Sequence, residues 1–318
     1  MKRHLPLLLI ACLVLASCAH KADSPDVHFN RLEQLLFTTP PSQLSASLLA
    51  HADEYDTPLL NLAPTNPEAM QMLSDFTSDP GMRHIFTIAD SLYHDLSWLE
   101  ADLAQALGNA ASQLPDLHYD RFYTLLTGDF EDYSHRVFCD RSHLAISLDH
   151  YSVEALGSAV PAYIARLCRP EYMLPDCMGA IAAAHILLPE GDLTLLDYAI
   201  AEGKKLYFIE QSIPYLPDTL LLRYSPSQLH WAEKNTEKVW STLVRQQLLY
   251  SRNYPQFHNL IDEAPKTNAF GEGSAPRMPA YIGLQIVRRY MKQTGATMAS
   301  LFAETDSQRI LATSGWRP

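Results

Sequence analysis

The amino terminus most constrains how this chain folds. Lys2 and Arg3 precede an apolar run over 5–15, which closes on Leu15-Ala16-Ser17-Cys18. A helix needs about 20 apolar residues to cross a bilayer, so this run is too short to be a spanning anchor. It reads as a secretory leader ending in a lipobox: small residues suit the peptidase, and the Cys18 thiol receives diacylglycerol. Residues 1–17 then leave before the body folds, and the most apolar stretch adds nothing to the core. Several acyl chains on one cysteine hold a protein to a membrane where a single chain does not. The expected organisation is a leader over 1–17, a lipidated tether over 18–27 and one folded domain over 28–318. The body belongs in the cell envelope, held to a membrane by lipid.

Charge narrows the partners. The 318 residues carry 24 Lys and Arg against 36 Asp and Glu, a formal charge of −12. Losing Lys2 and Arg3 takes the mature chain to −14. Phosphate binding needs clustered cations, so this balance argues against nucleic acid as a partner and against flat contact with anionic lipid. With 47% hydrophobic and 19% charged residues, the chain can bury a sizeable core and is not of the disordered class. No later stretch has 18 unbroken apolar residues. Beyond Cys12 and Cys18 three cysteines remain, Cys139, Cys168 and Cys177. The Cys168/Cys177 spacing suits either a bridge closing a short loop or two buried thiols, and it is not that of a zinc ribbon.

The periodicity is mostly helical. Over 28–108 Phe29, Leu32, Leu35 and Leu36 fall at helical spacing, as do Leu44, Leu48 and Leu49. Helices are expected near 68–76 and 82–96, separated by Asp79-Pro80-Gly81. Segments 121–127 and 143–149 are short and β-prone, with Leu144, Ile146 and Leu148 alternating against polar neighbours and a turn region over 129–134. Ser225-Pro226-Ser227-Gln228 reads as a capping box opening a helix that runs to 249, and a last long helix over 279–292 stops at Gly295. The expected fold class is α+β: a mostly helical single domain with a small central sheet, antiparallel or mixed.

Two helices hold the candidate chemistry. Over 176–188, Met178, Ile181, His185 and Leu188 make an apolar stripe that includes a histidine. Over 192–211, Leu195, Tyr198, Ala199, Glu202, Leu206 and Ile209 make a second stripe that includes an acid. A short connection makes the two helices antiparallel neighbours, so a cleft lined by His185, Glu202, Tyr198 and Tyr281 is expected between them. His185 and Glu202 suit two zinc ligands or a hydrogen-bonded core pair. A zinc peptidase needs His-Glu-x-x-His on one helix, and in the five residues ending at His185 the first imidazole is Ile181 and the base Ala182. No metal or other cofactor is called for. No Gly-x-Ser-x-Gly or phosphate loop occurs, and Gly271-Glu272-Gly273 lacks the context for dinucleotide binding. His143 and His150 bracket the second β-prone segment and suit a surface or core role better than a ligand. Tyr281, Arg288 and Arg289 suit an anion site less well than an ordinary basic helix end.

The second half of the chain is recognisable. Arg169-Pro170-Glu171-Tyr172-Met173-Leu174-Pro175, Leu195-Leu196-Asp197-Tyr198-Ala199-Ile200-Ala201-Glu202-Gly203-Lys204-Lys205-Leu206-Tyr207-Phe208 and Ile282-Gly283-Leu284-Gln285-Ile286-Val287 resemble the gliding-motility lipoprotein GldB family. So do the segments 214–218, 231–240, 248–251 and 305–310, and Pro276-Arg277. Phe29-Asn30-Arg31-Leu32-Glu33 with Leu36-Phe37 looks like that family's entry motif. The resemblance implies an envelope lipoprotein of bacteria that glide or carry type IX secretion machinery, with envelope proteins of that apparatus as partners. The helix pair around Glu202-Gly203 and the helix at 281–283 also look like a remote family of zincin-type peptidases. That likeness implies a zincin-like scaffold whose metal motif has decayed at Ile181 and Ala182, working by binding partners and not as an enzyme. The competing expectations are a peptidase-like zinc hydrolase and a ligand-binding module, both using the His185/Glu202 cleft.

Overall fold

Where the chain enters its folded body, it does so as a strand. The computed structural model describes residues 25–129, 133, 136–157 and 160–318, so the leader and Cys18 lie outside the described residues. The helical spacing read from residue 28 begins only at Leu32; Phe29–Arg31 is strand β1. It is three residues long, and its reason lies elsewhere in the chain: Phe29 pairs with Phe122, their rings edge to face at 6.1 Å, both buried. A partner so distant leaves no local periodicity to read.

Strands β2 (Arg121–Leu125), β3 (Val137–Cys139) and β4 (His143–Ser147) complete a mixed sheet in the order β1-β2-β4-β3. β1, β2 and β4 run parallel, and β3 is antiparallel to β4. Both β-prone segments are therefore strands, but they do not form a hairpin with each other. The hairpin joins β3 to β4, where Asp140 accepts hydrogen bonds from the backbone N–H of Ser142 and His143, each at 2.7 Å. The turn region over 129–134 lies mostly outside the described residues.

The helices pack around one member, Leu195–Ser212, which touches Ser97–Ala111, Met173–His185 and Met278–Thr294. It opens on a Thr194/Asp197 capping box, its polar residues satisfying the first free N–H groups. The Ser225/Gln228 box forms as read, with Pro226 at the first helical position, but its helix ends at Arg245 and not at 249. Asp79 caps the Pro80–Leu92 helix by accepting from Met82 N–H at 2.9 Å, and Gly295 at φ +62° ends Met278–Thr294. The whole is an α+β single domain.

Leu195–Ser212 and Met278–Thr294 cross with their backbones in contact. A Cβ placed on Gly283 would stand 1.7 Å from the Ala199 carbonyl oxygen, and one on Gly203 would stand 2.3 Å from the Gly283 carbonyl carbon. Only glycine allows these two backbones to touch, which gives the Glu202-Gly203 and Ile282-Gly283 motifs a physical reason. Beside the crossing, the buried Lys204 fastens its helix to the Glu304 carbonyl. Cys139, Cys168 and Cys177 are free thiols; burial raises the pKa of all three, and of the two spacing alternatives the unbridged one is found.

Candidate functional site

The stripes of the two helices do not form the expected cleft. Ile181 and Ala182 are fully buried in the core. The His185 Nδ1 lies 2.9 Å from its own helix's Ile181 carbonyl, its ring 6.1 Å from that of Tyr119, and no hydrogen bond or ion pair joins it to Glu202. Tyr198 packs against Tyr254 and Phe257. Tyr281 is buried on the Met278–Thr294 helix near Thr236. Of the four expected cleft residues, Glu202 alone joins the site described next. A 100° step per residue explains this: a stripe rich in Met, Ile and Leu turns to the core, and the opposite face is left to line a cavity.

That other face of Met173–His185 presents Asp176, Gly179, Ala180 and Ala183 to a cavity of about 920 Å³. Its other walls come from Leu206 and Ile209 of Leu195–Ser212, from Leu220 and Leu221, and from Pro161 and Ile164. Along it runs a chain of charges, alternating in sign. The Arg136 Nε donates to Asp176 Oδ2 at 3.0 Å, and Arg223 Nη2 donates to the other oxygen of the same carboxylate. Arg223 Nη1 lies 3.9 Å from Glu263 Oε1, and Arg277 Nη1 lies 3.2 Å from that same oxygen. The Arg277 Nη2 donates to Glu202 Oε2 at 2.8 Å, and Lys205 Nζ closes the row on Glu202 Oε1 at 2.5 Å. The order is Arg136, Asp176, Arg223, Glu263, Arg277, Glu202, Lys205. Each acid sits between two cations, which offsets the cost of holding charge away from water.

Asp176 is the best buried acid of the row, its side chain 5% exposed, and it also accepts the Tyr151 hydroxyl at 2.6 Å. It thus ties the residue before β3, the residues after β4 and the segment ahead of the Pro226–Arg245 helix. At the other end, burial opposes ionisation of Glu202, but Lys205 and Arg277 outweigh it and bring its pKa down to about 2. Glu263 is likewise held below the usual range, its burial outweighed by Arg277 and Arg223. A carboxylate depressed on folding contributes stability that is present above its unfolded value, near 4.5, and lost as the pH falls through its folded one. The urea midpoint should therefore drop between about pH 4.5 and 2, and Glu202→Gln should flatten that slope. Equal slopes in the two proteins would remove Glu202 from the account.

Two of the arginines stand on unusual backbone. Arg223 has φ +60°, and Arg277 has φ +49° with ψ 37°. The left-handed region costs an L residue roughly 1–2 kcal/mol, and glycine avoids that cost. The neighbours hold both in place: the Tyr224 hydroxyl donates to the Pro276 carbonyl at 2.6 Å, and Arg166 Nη2 donates to the Arg223 carbonyl at 2.9 Å. Thr267 and Ser274 brace the loop ahead of Arg277 by exchanging hydrogen bonds across it.

The remaining sequence candidates lie apart. His143 Nδ1 sits 2.8 Å from Asp140 Oδ2, and His150 is buried with Nε2 at 2.5 Å from the Asp129 carbonyl. Arg288 is engaged by Glu210 and Asp218, and Arg289 donates to the Ser314 carbonyl. Among the described residues no group of three or more His, Cys, Asp and Glu is arranged to hold a metal ion. Arg136, Asp176, Arg223 and Glu263 were not legible as a site in the sequence. The one available signal is Asp176, an acid set among Met173, Leu174, Pro175, Cys177 and Met178.

A single α+β domain, built on a small mixed sheet and carrying a charged cavity, is the class that fold and site define. The chain belongs to the gliding motility protein GldB family, whose model matches residues 18–318. Neither the curated proteins nor the solved structures hold a match to it. Family membership implies a role in gliding motility. Among the described residues no helix is long and apolar enough to cross a membrane.

Proposed function

We propose that this protein is a lipid-anchored envelope component of a gliding or type IX secretion apparatus, which works by holding a partner at the charged cavity and not by turning over a substrate. The observation that carries this reading is the state of the acids in the charged row. A general acid or base works best with a pKa near the operating pH. Here Glu202 is held to about 2, Glu263 is held low, and Asp176 is bonded by two arginines and a tyrosine. The row is built to stay charged, which suits recognition. The family match beginning at Cys18 supports the lipid tether.

Two measurements test this. Cys18→Ser should move the protein from the membrane to the soluble fraction, and unchanged membrane retention would refute the tether. Lys205→Glu reverses the half-exposed end of the row. Cells carrying it in place of the native gene, with protein at normal level in the membrane, should lose surface spreading or secretion of type IX cargo. Normal spreading and secretion would sink the binding role of the cavity.

A further inference from the structure

We propose that the cavity binds an amphipathic monocarboxylate, one carboxylate group on an apolar body; this deepens the binding role proposed above and rests on it. The charge count is the first argument. Four cations alternate with three acids, so the row holds one positive charge in excess, and a single negative group would balance it. A dianion such as a phosphate monoester would overshoot and leave one negative charge without a partner in the row.

Unspent donors are the second argument. The Arg223 Nη1 is buried and has no hydrogen-bond partner among the described residues, its nearest acid oxygen being 3.9 Å away. The Lys205 ammonium has three protons, and its described side-chain bond is the one to Glu202. Both residues line the same cavity. A guanidinium fork and an ammonium are the groups that bind carboxylate with charge-assisted bonds.

Backbone is the third. Arg223 and Arg277 hold left-handed conformations that glycine would take without strain, and both send their side chains to the row. Strain of this kind gathers at ligand clamps, and here it sits under Arg223, which would meet the anion, and under Arg277, which holds the neighbouring acids Glu263 and Glu202 in place. The rest of the wall sets the body of the ligand. Ile164, Tyr172, Leu206, Ile209, Leu220 and Leu221 are apolar or aromatic, and the volume of about 920 Å³ lies within the range of small-molecule sites.

The test uses the full chain in non-ionic detergent at pH 7, titrated calorimetrically with 4-phenylbutyrate, with its neutral amide and with inorganic phosphate. Phenylbutyrate should bind at one site per chain, and the amide should bind about tenfold or more weakly. Lys205→Gln should weaken phenylbutyrate by about tenfold or more. So should Arg223→Gly, which removes the guanidinium and also relieves the backbone, so that loss of binding in a well-folded variant is readable. No phenylbutyrate binding, equal binding of the amide, tighter binding of phosphate, or undiminished binding by Lys205→Gln would each overturn the assignment. Lost spreading in Lys205→Glu cells without phenylbutyrate binding would discard the ligand class and leave the binding role standing. Binding with normal spreading would discard the role instead.

Discussion

Replacing Asp176 with alanine should destabilise the protein by about 3–5 kcal/mol, the range seen when one partner of a buried ion pair is removed. Three groups lose their acceptor at once. Arg136, its side chain 8% exposed, loses its carboxylate and keeps the Tyr133 carbonyl, at 2.7 Å. The Tyr151 hydroxyl loses its 2.6 Å contact, and Arg223 is left with the distant Glu263. A domain of this kind has roughly 5–15 kcal/mol of stability in total, so the loss would be plain in a urea melt. Asp176→Asn should recover part of it by keeping an acceptor for the hydroxyl. A change below about 1 kcal/mol for the alanine variant would mean that water takes over the role of the carboxylate.

The helix crossing makes the second large prediction. Gly283→Ala should cost about 3 kcal/mol, the upper end of the usual scale for overpacking. Its new methyl would meet the Ala199 carbonyl, which is backbone and has no rotamer to move into. Separation of Leu195–Ser212 from Met278–Thr294 is the only relief, and that shifts both Glu202 and Arg277. Gly203→Ala should behave alike, for its methyl meets the Gly283 backbone from the other side. In an open helix the same change would stabilise, since alanine is the better helix former by about 1 kcal/mol. Denaturant midpoints of the two variants read the sign directly, and a gain in either would contradict the close approach.

These residues also show what the sequence could and could not reveal. Local chemistry was legible: the Ser225/Gln228 box, the Gly295 stop and the alternation through β4 each rest on neighbours a few positions apart. Long-range pairing was not. β1 reads as the start of a helix because its partner is β2, and β2 and β4 read as two short strands either side of a turn region, since parallel pairing leaves no mark in either. For the site, Glu202 stood out as an acid on an apolar stripe, yet its partner Arg277 stands just ahead of another helix, at its N-cap, and showed only as part of a family motif. The His185 stripe was legible as amphipathic, but periodicity does not say which face meets the core and which a cavity. Nor does composition reveal a left-handed arginine, because at such a position the expected residue is glycine.

The three-residue strand at the chain's entry has a mechanical meaning. Any pull on the residues ahead of Val27 reaches the body through β1, which lies at the edge of the sheet beside β2. Force along the strand axis loads the β1–β2 hydrogen bonds together in shear, where a perpendicular pull would open them one at a time. Side chains reinforce that seam: the Phe29 N–H donates to Glu100 at 2.9 Å, and the buried Glu33 accepts from Thr124 of β2 at 2.7 Å. Glu100 and Thr124 belong to separate elements, so tension is divided between a helix and the centre of the sheet before it reaches the cavity.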